Sequence, residues 1–266
     1  MSEVVGIQPE GSVPRVLRLR YSKTGKIRFT SHRDVSRMWE RALRKIALAV
    51  AYTSGFSPRP RIAFGFALPT GAESLAEYVD VALDPTKEHD LVDITGALTP
   101  AMPNGIDLTG AAVLEPSTEA LQAVVVSSTW EMVPPASPDL SGQVARLLSQ
   151  ASIEIEVERK GLPVASDIRP GIITGSVDGQ VITCELAARG TRPADVMRAL
   201  DLDPLDTRFL RIHQWIEHNG GRAEPLAAGA ALPSGVLREE PTDNVRPEPF
   251  SVAESQATPP RLARGA

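Results

Sequence analysis

Apolar and polar residues recur at strand or helix spacing along the first part of this chain, and the pattern predicts an ordered set of elements. Residues 15–21 (RVLRLRY) and 77–83 (EYVDVAL) alternate, which is typical of strands. Further strands are predicted at 62–66 and 106–115, and a helix at 86–98. With one clear helix after the first strand, the predicted order is β-α-β-β-α-β.

That clear helix begins after Ser31, a good N-cap residue, and Asp34 three positions on forms a carboxylate variant of the capping box. The residues that follow repeat at the spacing of one buried helix face: Val35, Met38, Trp39, Ala42, Leu43 and Ile46. The opposite face is basic: Arg33, Arg37, Arg41, Arg44 and Lys45. This helix is therefore predicted to bury an apolar stripe and to display a basic one.

The same order of elements is predicted a second time. The strands are predicted at 122–132, 152–159, 179–187 and 207–216, and the helices at 137–150 and 192–200. Two such series predict an α+β protein with two tandem ferredoxin-like (βαββαβ) halves, residues 14–118 and 119–217. Residues 1–13 lack periodicity and are predicted to be a flexible N-terminus. Residues 218–266 are rich in proline, glycine and alanine and are predicted to be a disordered tail.

Composition excludes several kinds of site. Cys184 is the only cysteine, so an intramolecular disulfide and an iron–sulfur cluster held by this chain's own cysteines are excluded. The four histidines contain no chelating pair, and glycine-rich phosphate loops are absent, so we expect no metal and no cofactor. No apolar run approaches ~18 residues, and the first residues do not resemble a signal peptide. We therefore expect a cytoplasmic protein without membrane association.

Charge is distributed very unevenly along the chain. Residues 15–61 hold 13 basic and 2 acidic residues, a formal charge of +11, in a protein whose total is −5. Pro58 and Pro60 push the residues that precede them toward extended conformations. The segment bracketed by Gly55 and Gly65 is therefore predicted to be a shaped loop that enters the short strand at 62–66, and residues 52–61 are here called the proline loop. A strand, a turn, a helix and this loop should together present a basic surface.

Residues 18–83 resemble the radical-SAM-linked proteins of unknown function. The matching segments are RFTSHRDV (28–35), YTSGFSPRPRI (52–62) and ALPTGAESLAEYVDV (67–81), with SDIRPGI (166–172) as a weaker one. In that family the domain is often fused behind a radical SAM enzyme, or encoded alone near an RNase E/G-type ribonuclease. This chain is similar to the stand-alone form and lacks the three-cysteine motif. The resemblance therefore implies a radical SAM or RNase E/G-type protein as a partner, but no radical SAM activity.

We predict a non-enzymatic accessory factor that binds RNA or a ribonucleoprotein. Arginine and lysine neutralise phosphates and release their counterions, and exposed aromatic rings stack on unpaired bases. The predicted binding residues are Lys26, Arg28, Arg33, Arg37, Arg41, Arg44, Arg59 and Arg61, with Tyr52 and Phe56 for stacking. A face that serves only solubility, and aromatic residues that only pack in the core, are the simpler alternatives.

Two further functions stay open. His32 lies at the start of the basic helix and could act as the acid or base of a metal-independent RNA-processing enzyme. Several CRISPR-type endoribonucleases built from tandem ferredoxin-like domains resemble this plan and carry a histidine in that region. The chain could instead be a module that docks a radical SAM enzyme or an RNase E/G-type ribonuclease. Outside this region, Asp167 and Arg169 are predicted to pair in a local turn, and Cys184 to be a small buried residue.

Overall fold

The computed structural model describes four ranges of the chain: residues 14–114, 118–136, 139–159 and 161–232. The predicted flexible N-terminus (1–13) and the predicted tail beyond residue 232 lie outside them. The described residues form an α+β structure with one large, mostly antiparallel sheet and a few helices. No helix in these ranges is both long enough and apolar enough to cross a membrane.

The strands of the described residues are β1 Val16–Lys23, β2 Ile62–Phe64, β3 Glu73–Ala82, β4 Leu108–Leu114, β5 Val125–Val133, β6 Glu154–Arg159, β7 Leu162–Asp167, β8 Ile172–Asp178, β9 Val181–Ala187, β10 Arg208–His218, β11 Gly221–Ala223 and β12 Gly229–Ala231. The α-helices are α1 His32–Lys45, α2 Ile94–Leu98, α3 Leu121–Val124, α4 Leu140–Leu148 and α5 Pro193–Ala199. The large sheet has the order β12-β4-β1-β3-β10-β5-β9-β8. In addition β2 pairs with β3, β11 pairs with β10, and β6 and β7 form a separate two-stranded sheet.

The predicted order of the first part is confirmed, and so is the design of α1. The Asp34 backbone N–H donates to Ser31 Oγ (3.2 Å), and the Ser31 hydroxyl donates to the Asp34 carboxylate (2.8 Å). Four residues of the predicted apolar stripe are fully buried, Val35, Trp39, Ala42 and Leu43, while Met38 and Ile46 pack at its edge. The local pattern was sufficient here because the cap and the apolar stripe both lie within the helix itself.

The predicted helix at 86–98 is wrong in its first half, since α2 begins only at Ile94. The carboxylates of Asp84 and Asp90 accept hydrogen bonds from backbone N–H groups two residues on, at Thr86 and Val92. These short side-chain bonds give the backbone an alternative to helical hydrogen bonding. The chain therefore turns twice before Asp93 caps α2 through the Gly96 N–H (3.2 Å).

The second part departs from the predicted pattern at its second strand. The predicted strand at 152–159 exists as β6, but it pairs with β7 outside the large sheet. β9 pairs with β5 on one side and with β8 on the other, and the sequence did not predict β8. Its polar, glycine-containing sequence ITGSVD does not have the apolar alternation from which a strand is predicted. Packing explains the glycine at position 175. A Cβ at that position would lie 2.8 Å from Leu148 at the end of α4.

Two apolar cores lie on one face of the large sheet. The first joins α1 and α2 to β1, β3 and β4, with Trp39 fully buried. The second joins α4 and α5 to β5, β8 and β9. Cys184 lies in the second core as the small buried residue that the sequence predicted, and burial raises the pKa of its thiol to about 12.

The seam between β3 and β10 joins the two parts into one sheet. Its backbone pairing is parallel and covers only two residue pairs, Leu210 with Glu73 and Arg211 with Ser74. Side chains supply the rest. Arg211 Nη2 lies 2.8 Å from Glu77 Oε1, with both side chains buried, and Arg208 Nε lies 2.7 Å from Glu73 Oε2. Two ion pairs, of which Arg208–Glu73 is also hydrogen-bonded, therefore hold an interface that has little backbone pairing.

The predicted disorder from residue 218 is wrong for residues 219–232. These residues form β11, a 3₁₀ turn (Pro225–Ala228) and β12, which pairs with β4. Buried Arg18 holds this segment against the sheet. Its guanidinium pairs with Asp80 (2.7 and 2.8 Å) and donates to the Pro225 carbonyl (3.2 Å). Glu224 beside that turn contacts Arg20 at 3.3 Å. Residues distant in sequence hold this segment, so its proline- and glycine-rich composition wrongly predicted disorder.

Removing the carboxylate of Glu77 should strongly destabilise the seam. We expect Glu77→Ala to lower the free energy of unfolding by about 3–5 kcal/mol, because Arg211 would stay buried without its charge partner. The double variant Glu77→Leu/Arg211→Met should lose clearly less than the single variant. Urea unfolding measures both, and an alanine variant as stable as the native protein would contradict this account.

Glu224 should make the stability of the protein sensitive to acid. Burial acts to raise its pKa, but hydrogen bonding to His213 and the charge of Arg20 outweigh burial, so the pKa lies below its ordinary value of 4.5. A lowered folded-state pKa contributes stability above pH ~4.5 that is lost as the pH falls through the folded value. Glu224→Gln should therefore cost about 1 kcal/mol at pH 7 and progressively less in acid. Urea unfolding at several pH values tests this, with exposed Glu217→Gln as a control that should show no such trend.

Candidate nucleic-acid interface

Glu73 positions the 3₁₀ turn Gly25–Phe29, here called the basic turn. Its Oε1 accepts the Gly25 backbone N–H at 2.6 Å and lies 3.8 Å from the Arg28 guanidinium. Arg28 also lies over the Phe29 ring, 4.6 Å from its centre, and is half-buried, whereas Lys26 is exposed. The same carboxylate binds Arg208 across the seam, so the basic turn is fixed to the joined sheet.

The basic face of α1 is exposed along the length of the helix. Arg33, Arg37, Arg41 and Arg44 all point into solvent within an arc of roughly 80°, and at 1.5 Å per residue they span ~16 Å along the axis. Arg37 lies 3.5 Å from Asp34, but both side chains are more than half exposed, so this pair contributes little. In the described part of the chain the other three arginines make no ion pair. Their charges are available to a ligand.

The proline loop is an ordered hairpin that projects from the sheet. The Thr53 N–H donates to the Arg59 carbonyl (2.9 Å), and the Arg61 N–H donates to the Ala51 carbonyl (2.8 Å). The Arg59 N–H also donates to Thr53 Oγ1 (3.1 Å). Gly55 turns the tip with φ +131°, a conformation that other residues rarely adopt. These bonds hold the loop in one shape despite its exposure.

The predicted binding residues of this loop all face solvent. Arg59 and Arg61 are exposed, half of the Tyr52 side chain is exposed, and Phe56 is fully exposed at the tip. Phe64, by contrast, packs against the first core. The exposed Phe56 ring offers a free flat face that suits stacking on a flat ligand.

His32 is exposed and stacks edge-on against Phe64, with 4.9 Å between ring centres. Among the described residues it makes no hydrogen bond and no ion pair. It lines a narrow cleft with Lys23 and Glu77, but Glu77 is bound to Arg211, and Lys23 donates to the Thr30 carbonyl at 3.2 Å. The geometry therefore places no acid–base partner on the His32 ring.

The formal charge of residues 15–61 overstates the charge of the surface. Arg18 is fully buried against Asp80, Lys23 is buried with a pKa lowered by desolvation, and Arg20 is half-buried beside Glu224. These three residues belong to the interior networks of β1. The exposed basic surface consists of the basic turn, α1 and the proline loop.

Sequence reasoning missed the interior charge clusters. One joins Lys23, Glu77 and Arg211 near the seam, and another places Tyr78 and His213 around Glu224, with His213 Nδ1 only 2.6 Å from the carboxylate. No local signal could have found them, because their members come from strands far apart in the chain. No group of three or more potential metal ligands occurs in the ranges that the structure describes.

The turn at residues 166–172 is structural, but its bonds differ from those predicted. The Asp167 carboxylate accepts the backbone N–H groups of Ile153 (2.8 Å) and Arg169 (2.9 Å), and these bonds hold its pKa below the ordinary value. The Arg169 guanidinium instead donates to the carbonyls of Gln150 and Ile172. The predicted side-chain pair between Asp167 and Arg169 is therefore replaced by two separate sets of backbone contacts.

Comparison with models of protein families places most of the chain in a family. The model of a family described as "Uncharacterized protein conserved in bacteria (DUF2344)" matches residues 16–194. The match begins at β1 and ends within α5, so it includes the basic turn, α1 and the proline loop. No curated protein matches the chain.

Proposed function

The chain belongs to the family of uncharacterized proteins conserved in bacteria (DUF2344), and we propose that it is a non-enzymatic accessory factor that binds RNA. The proposed binding surface consists of the basic turn, the basic face of α1 and the proline loop. RNA bound alone and RNA presented within a ribonucleoprotein would offer this surface the same phosphates and unpaired bases.

The row of exposed arginines on α1, of which only Arg37 has an ion-pair partner among the described residues, carries the proposal. Arg33 and Arg37, and again Arg37 and Arg41, are like charges at i, i+4, an arrangement that destabilises a helix by about 0.2–0.5 kcal/mol per pair. A surface that served only solubility would do better with both signs interspersed. A polyanion converts this cost into a favourable contact, since each neutralised phosphate releases counterions.

The proline loop adds a contact of a different kind. Its hairpin hydrogen bonds order the chain before any ligand arrives, which lowers the entropy cost of binding. Phe56 then offers a ring face to an unpaired base, and Arg59 and Arg61 offer charge to the neighbouring phosphates. Stacking on an aromatic side chain is worth about 1–3 kcal/mol per base.

We interpret the large sheet as two ferredoxin-like halves joined side by side. The strand order β4-β1-β3-β2 in the first part and β10-β5-β9-β8 in the second both correspond to the order 4-1-3-2, with the β6–β7 hairpin as an insertion. RNA-binding modules such as the RRM use sheets of this kind. This support is an analogy of fold and is weaker than the charge argument.

We assign His32 to contact with the RNA backbone and not to cleavage. General acid–base catalysis at a 2′-hydroxyl needs a group that takes the proton and usually a second that orients or complements it. The ring of His32 contacts Phe64, and no carboxylate or second histidine binds it among the described residues. The exposed edge beside Arg33 suits a phosphate oxygen.

The decisive variant is Arg37→Glu/Arg41→Glu. Anisotropy of labelled single-stranded RNA should show at least about a tenfold loss of affinity, and the slope of log K against log salt should become shallower by ~1.4 for two lost contacts. The fold should persist, because both side chains are exposed on α1.

The matched control is Lys87→Glu/Arg146→Glu, which makes the same change in net charge at exposed positions outside both the proposed RNA surface and the cavity described below. Its affinity for RNA should stay close to native. Equal losses in both doubles would show that only net charge matters, and retained affinity in the α1 double would refute the proposed surface. Weak RNA binding together with recovery of one radical SAM or RNase E/G-type partner would favour the docking function instead.

Replacing Phe56 by serine should weaken RNA binding by about 1–2 kcal/mol, through loss of stacking, without changing the salt slope. Leu205→Ser is the matched control, since Leu205 is also an almost fully exposed apolar residue but lies in the second part. Thermal unfolding of both variants should match the native protein. An unchanged affinity for Phe56→Ser would remove the loop tip from the interface.

A further inference from the structure

A second concentration of arginines lines a cavity far along the chain from α1. The cavity encloses about 370 Å³ between the β6–β7 hairpin, the 3₁₀ turn Arg169–Gly171 and the segment that leads from β9 into α5. Three arginines line it: Arg189, Arg192 and Arg198. They lie together in a part of the chain, residues 119–217, where acidic residues outnumber basic ones.

The walls of this cavity are fixed by hydrogen bonds. The Asp167 carboxylate ties the base of the hairpin to the turn through two backbone N–H groups. Buried Thr191 donates its hydroxyl to the Ile168 carbonyl (2.9 Å), and Gly171 packs so closely on Thr191 that a Cβ there would overlap it. Gly190 takes a φ of +109°, which places Arg189 and Arg192 on either side of a tight bend. These hydrogen bonds and close contacts therefore fix the shape of the cavity.

The carboxylates that line the cavity are already bound. Asp195 accepts the Arg198 guanidinium (2.7 Å) through one oxygen and the Arg192 backbone N–H (3.0 Å) through the other. The Asp167 carboxylate accepts hydrogen bonds from two backbone N–H groups. Among the described residues, Arg189 donates only to the neutral Gln122 carbonyl (3.2 Å), and the Arg192 guanidinium has no ion-pair partner. Within the part of the chain that the structure describes, two cations at the cavity therefore have no counter-charge.

We propose that this cavity binds the phosphate group of a small phosphate monoester. The planar guanidinium groups of Arg189 and Arg192 offer paired N–H donors that match phosphate oxygens. The volume of this partly open cavity is that of a small-molecule site, with room for an organic body beside the phosphate. The proposal rests on residues separate from the RNA surface, and either one stands without the other.

Calorimetric titration of the full chain with AMP, inorganic phosphate and adenosine tests this site. AMP should bind saturably, inorganic phosphate should bind and displace it, and adenosine should not bind. Arg189→Ser/Arg192→Ser should weaken AMP at least about tenfold. The control Arg146→Ser changes an exposed arginine elsewhere in this part of the chain and should leave AMP binding unchanged.

The site is overturned if neither phosphate nor AMP binds at millimolar concentration, if adenosine binds as well as AMP, or if the double variant binds AMP like the native protein. Both substituted side chains are exposed, so the double variant should fold, and its melting temperature verifies this. It should also keep the native affinity for RNA. If the double variant also lost RNA binding, the cavity would be part of the RNA-binding surface, and a separate phosphate site would be refuted.

Discussion

The ion pairs across the β3–β10 seam are the interaction on which the rest of this structure depends. Backbone pairing there covers two residue pairs, too few to hold two parts of a domain in one orientation. Glu77 and Glu73 supply what the backbone lacks by binding Arg211 and Arg208. Gln214 adds a hydrogen bond to the Ala76 carbonyl at 2.6 Å. Ion pairs suit this position because they fix direction and register, whereas apolar contacts would allow the strands to slide.

The seam also orders the candidate interface. Glu73 binds the basic turn through the Gly25 N–H while it binds Arg208 on the other side. Arg211 donates to the Phe66 carbonyl (3.1 Å), close to the strand on which His32 rests through Phe64. The basic turn is thus bound to one of the carboxylates that join the sheet. A change at the seam would disturb both stability and the outer surface.

Arginine has two roles in this protein, and burial separates them. Arg18 and Arg211 lie inside, and each is bound by a carboxylate and a carbonyl, so their charges are neutralised by the fold. Among the described residues, Arg33, Arg41 and Arg44 of α1, and Arg189 and Arg192 before α5, have no ion-pair partner, and Arg37 has only an exposed one. A buried cation without a partner would be very costly, whereas an exposed one costs little and remains available. Unpaired exposed arginines, and not arginine content, therefore identify the candidate binding surfaces.

Local patterns in the sequence determined the elements that need no distant partner. The cap at Ser31, the apolar stripe of α1 and its basic outer face all lie within one helix, and the alternation of β1 and β3 lies within single strands. Which strands and side chains pair with one another was decided only by the tertiary structure. It placed β6 outside the large sheet, inserted β8 beside β9, and held residues 219–232 through Arg18 and Glu224. It also turned Arg18 and Lys23 inward, so the predicted basic segment became a smaller basic surface. The physical reason is range: helix periodicity and capping act over a few residues, whereas strand pairing and ion pairs join residues up to about 200 positions apart, and no local pattern records which partner will be there.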